Sequence, residues 1–158
     1  MRVTPERVRQ EHTFVRERPV ADRINAVRAA LGEAFDAAVD PVSPEAYRSD
    51  VDRLFADGDR AVNVAALVAL LRDLDVEDDY PGFVVDELLG RRLAATIAGG
   101  QPLALLAEAT FHYADVHTHG DDGEVAGADD LDAALAAGFQ TRLPGWDWRE
   151  AESPFAVE

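Results

Sequence analysis

The chain has 158 residues, 47% apolar and 8% aromatic, a composition that folds around one core. It carries 31 acidic against 15 basic residues, a formal net charge of −16, and every base is arginine. That sign, with no basic stripe, repels phosphate, so neither nucleic acid nor an acidic membrane surface is expected as a partner; zero cysteines exclude a disulfide framework, a thiolate zinc site and a cysteine nucleophile.

In chain order the apolar spacing is helical almost throughout. Thr4 followed by Pro5 signals a first helix whose large apolar residues are Val8, Phe14 and Val15, and Pro19 ends it. Val20, Ile24, Val27, Leu31, Phe35 and Ala38 then form a stripe at steps of three and four, which predicts one buried helix face. Ser43 with Pro44 starts the next helix, with Tyr47, Val51, Leu54 and Phe55 inward. "AVNVAALVALLRDL" is apolar nearly all round and is expected in the middle of the core, with Val64, Leu67, Val68, Leu71 and Leu74 buried. Val85, Leu88, Leu89, Leu93 and Ile97 make another stripe, stopped by Gly99-Gly100. Pro102 opens a helix, and "DDLDAALAAGF" predicts a short final one ending near Gly138. The expected fold is therefore all-α: a single domain over 1–158 with six to seven helices. Its irregular aromatic tail, 143–158, is expected to dock on the body, with Trp146, Trp148 and Phe155 as the alternative anchor for a partner.

One stretch concentrates chemistry. Residues 108–124, "EATFHYADVHTHGDDGE", contain three of the four histidines. At about 100° per residue, Glu108, His112, Asp115 and His119 fall within a stripe about 60° wide if the helix reaches that far. On the same wheel Leu105, Ala109, Tyr113 and Val116 are expected to be the buried face, bordering that stripe. Imidazole with carboxylate suits zinc, iron or manganese, and Asp86 or Glu87 could contribute from a second helix. The competing reading is a solvated edge with Glu108–His112 and Asp115–His119 as surface pairs, for which no cofactor is needed.

Read as a strand, "DVHTH" at 115–119 resembles the D-x-H-x-H metal motif of amidohydrolases and of polymerase-and-histidinol-phosphatase domains. The resemblance implies a barrel strand with Asp115, His117 and His119 on one face, but no strand-rich pattern precedes it. "RVRQEH" has the R-x4-H spacing of some helical ribonucleases, here between Arg7 and His12 of an acidic chain.

No apolar run is long enough to span a bilayer, and "MRVTPERVRQEHTF" lacks the apolar core of a secretory leader, so a cytoplasmic location is expected. The function expected on these grounds is a small acidic interaction or regulatory protein: an adaptor, an accessory subunit or a dedicated chaperone, binding a protein partner or itself. The alternative is a helical metalloprotein or metal-dependent hydrolase or oxidase using the Glu108/His112/Asp115/His119 stripe. The charge points to a halophile's cytoplasm, where molar salt shortens the Debye length to about 3 Å and relieves the self-repulsion. The melting temperature should accordingly rise steeply between low salt and 2 M KCl; a flat profile in calorimetry or circular dichroism would count against the halophile assignment.

Overall fold

A computed structural model describes residues 1–74, 88–117 and 128–146. Among the described residues it contains seven α-helices and no strand: α1 Pro5–Glu17, α2 Ala21–Ala34, α3 Pro44–Phe55, α4 Gly58–Asp73, α5 Arg91–Ala98, α6 Leu103–His117 and α7 Ala128–Arg142. Two of the helix starts follow their sequence signals closely. The Thr4 hydroxyl accepts from the Arg7 amide and the Ser43 hydroxyl from the Ala46 amide, each with proline in the first turn. Gly99, at φ 98°, ends α5 in the left-handed region that an L side chain rarely adopts.

The middle of the bundle is α7 rather than α4. Every residue from Leu131 to Thr141 is buried, and α7 packs on α2, α3, α4, α5 and α6. By contrast α4 buries Val64, Val68 and Leu71, half-buries Leu67 and Leu74, and exposes Val62 and Asn63. The reason is side-chain size. Ala133, Ala134, Ala136, Ala137 and Gly138 leave α7 so slim that neighbouring backbones close on it from several sides. Gly138 does not end the helix, as its residue type suggests, but lies inside it at the crossing with α5. A Cβ there would stand 2.7 Å from Ile97 Cβ and 3.0 Å from the Ala94 carbonyl oxygen.

Two further expectations are corrected. The stripe through Phe35 and Ala38 does not continue, because α2 stops at Ala34 and Phe35 is 64% exposed. The Ala37 amide bonds to the Gly32 carbonyl and the Asp36 amide to the Glu33 carbonyl, with Asp36 at φ 52°. This is a Schellman stop built on aspartate, so the glycine that would have announced it is missing. In the stripe that runs into α5, Leu93 and Ile97 are buried and Leu89 is half-buried, but Leu88 is exposed; Val85 lies outside the described residues.

The polar helix α1 is held by ion pairs on top of a thin apolar contact. Glu11, fully buried, lies between Arg7 at 2.5 Å and Arg72 of α4 at 2.7 Å, and the Arg72 guanidinium covers the Phe14 ring at 3.8 Å. Arg7 also reaches Asp73, and Arg18 grips Asp132 of α7 through two hydrogen bonds. The Tyr47 hydroxyl donates to the Val15 carbonyl at 2.6 Å; burial pushes its phenol far above the ordinary range, so it stays a donor.

A second set of polar contacts closes the other end. The Arg28 guanidinium, buried in α2, donates to the carbonyls of Gln140, Leu143 and Pro144, just where the end of α7 leaves carbonyls without helical partners, and to that of Asp40. The Asn25 side chain exchanges two hydrogen bonds with the Val42 backbone, tying the α2–α3 connection to the same helix.

The close crossing at Gly138 can be tested by overpacking it. Gly138→Val should destabilise the domain by about 3 kcal/mol in urea unfolding, because two methyl groups must displace Ile97 or the α5 backbone. An unchanged midpoint would mean that α5 and α7 do not meet there.

A candidate partner-docking face on helix α6

Helix α6 lies against α5 and α7 and has its own side chains sorted by size. The side toward the bundle carries Ala104, Ala107, Thr110, Phe111 and Ala114, all buried. Phe111 fits over Gly90, whose hydrogen occupies the place where a Cβ would come within 2.3 Å of the ring. Thr110 turns its hydroxyl back to the Leu106 carbonyl, which satisfies it without a partner from another helix. The opposite side carries Leu105, Ala109, His112 and Val116, all exposed; Leu105 is 60% and Val116 50% accessible. Tyr113 is half-buried against the core.

This reverses the expected orientation. Leu105, Ala109 and Val116 do not form the buried face. Small residues packed on the slim α7 form it, and the larger aliphatic residues are left outside. Residues 111–117 are helical, so over 115–117 the chain does not form the strand that the D-x-H-x-H resemblance implies; residues 118 and 119 lie outside the described residues.

The predicted metal stripe is placed as follows. Glu108 is half-buried, His112 is exposed, and Asp115 is buried at the border with the core. His119, Asp86 and Glu87 lie outside the described residues. Among the described residues no three His, Asp or Glu side chains come close enough to share a metal ion. Neither Glu108 nor Asp115 forms an ion pair among the described residues.

Of the three aromatic candidates, Trp146 is described, and it is 2% exposed. Its indole N–H donates to the Gln140 carbonyl at 3.2 Å, its ring lies under the Arg28 guanidinium, and its backbone forms an isolated antiparallel bridge with Val39. So placed, it closes the bundle behind α7 and offers little surface to a partner. Trp148 and Phe155 fall outside the described residues. The Arg7–His12 pair is used within the fold. Arg7 binds Glu11 and Asp73, while His12 stacks on Phe55 at 4.7 Å and pairs with Asp52. Partial burial of Asp52 opposes its ionisation, but the His12 and Arg16 hydrogen bonds outweigh that and hold its carboxyl below the usual range.

The signal that finds the exposed face was present in the spacing. Positions 105, 109, 112 and 116 step by four, three and four, the spacing of a helix-to-helix seam, whereas the buried alanines carry no comparable hydropathy signal. The face extends about 16 Å along the helix from Leu105 to Val116. Among the described residues no helix is long and apolar enough to cross a membrane.

A family model described as "Domain of unknown function (DUF7984)" matches residues 1–158. No curated protein and no solved structure matches the chain.

If this face is not used in folding, its residues should be dispensable for stability. Leu105→Gln and Val116→Gln should each change the unfolding free energy by less than about 0.5 kcal/mol. Phe111→Ala, on the opposite side of the same helix, should cost about 3–5 kcal/mol. Larger losses at 105 and 116 than at 111 would show that α6 is turned the other way.

Proposed function

We propose, from the premise that the chain belongs to the DUF7984 family over residues 1–158, that it is a small acidic interaction or regulatory protein. Its roles within that class are adaptor, accessory subunit or dedicated chaperone, in a halophile's cytoplasm. The observation that carries this reading is the exposed seam Leu105, Ala109, His112 and Val116 on α6, an aliphatic strip with one imidazole and no carboxylate of its own on a chain of net charge −16. Acidic surfaces keep proteins apart, and an exposed strip without acidic side chains of its own, though Glu108 and Asp115 flank it, is where association can occur. Glu11, Asp50 and Asp132 are occupied by arginines that tie α1, α3, α4 and α7 to one another, so these carboxylates serve the fold.

A photo-reactive residue at position 105 tests the reading. In lysate of the native source it should trap a discrete protein, with the yield falling at least tenfold when Val116→Glu is added. The same group at Val62, exposed on α4, should trap nothing that depends on Val116. Adducts equal at both positions, or none at 105, would remove the basis for the proposal.

A further inference from the structure

Resting on that reading, we infer that the partner of the α6 face is a basic amphipathic helix of another protein, laid along Leu105, Ala109, His112 and Val116. The seam selects a helix because its steps of four, three and four repeat at 3.5 residues, the period at which a second rod's side chains meet the same strip turn after turn. With Ala109 and Val116 as a positions and Leu105 and His112 as d positions, the flanks differ in chemistry. The g positions are Glu108 and Asp115; the e positions are Leu106 and Tyr113. One edge of the seam is therefore acidic and the other apolar to aromatic.

Among the described residues neither Glu108 nor Asp115, one heptad apart, forms an ion pair. An incoming arginine or lysine along that edge would meet a carboxylate every seven residues.

The same pattern argues against a second copy of this chain. Antiparallel pairing of two α6 seams would set the acidic edges against each other, and parallel pairing would set Glu108 and Asp115 beside Leu106 and Tyr113 with no cation in reach. The long-range repulsion of two −16 chains adds to this.

Three synthetic helical peptides test the inference against the full chain, at the lowest salt at which it remains folded. One has leucine at a and d with arginine at e and g; its twins have glutamate or glutamine at e and g. In fluorescence anisotropy the arginine peptide should bind at least thirtyfold tighter than the glutamate twin. Leu105→Glu with Val116→Glu should weaken it at least tenfold while leaving the melting temperature in place. Glu108→Gln should weaken the arginine peptide about three- to tenfold and leave the glutamine peptide unchanged. Equal binding of all three peptides overturns the inference, as does light scattering that shows a dimer abolished by Leu105→Glu. If the peptides fail to discriminate while position 105 still traps a protein in lysate, the interaction role stands and the basic helix is wrong. If they discriminate but nothing is trapped, the face has the chemistry inferred and the proposed cellular role fails.

Discussion

The bundle depends on how little stands out from the surface of α7. Its run of alanines, interrupted by Gly138 where α5 crosses, allows helices from several directions to bring their backbones close to one axis. Close approach compensates for the small side chains along that strip of the helix. Dispersion acts across many short contacts, and alanine and glycine have no rotamer freedom to lose on burial. The larger residues of the core come from α7 itself at Leu131, Leu135 and Phe139 and from the surrounding helices at Ile24, Val27, Leu54, Leu93, Ile97 and Phe111.

The same economy determines which way α6 faces. A helix with both a small-residue side and a large aliphatic side can turn either one to the core. Against a slim neighbour the small side gives the closer fit, so Ala104, Ala107 and Ala114 go inward with Phe111 seated over Gly90. Leu105 and Val116 are then left on the outer surface, at a spacing suited to another helix. The candidate binding face is thus a by-product of how the interior is packed, produced by the same alanines that draw the bundle together.

Much of the architecture was readable from residue type. Thr4-Pro5 and Ser43-Pro44 begin helices, Gly99 ends one, and the inward faces of α3 and α5 follow from spacing at Tyr47, Val51, Leu54, Leu93 and Ile97. Where the reading failed, hydropathy or residue type was an incomplete guide. Asp36 adopts the backbone angle that glycine usually signals, and Gly138 serves a crossing rather than an end. On α6 the larger side chains were assigned to the core, although the closeness of the backbones was the deciding quantity. The polar helix α1 could not be placed from its pattern, because its position comes from Glu11, Asp52 and Asp132 meeting arginines that are near or far in sequence. Of the candidate site, Glu108, His112 and Asp115 do lie along one edge of α6, but the face beside them is open rather than buried.

The Arg28 clamp differs in kind from the contacts of α1. Its four hydrogen bonds go to peptide oxygens from a buried guanidinium, whereas α1 is fastened to α3 through the half-exposed pair of Arg16 and Asp52. Added salt therefore acts unevenly on the molecule: it screens the Arg16–Asp52 fastening and barely reaches the clamp that joins α2 to the close of α7.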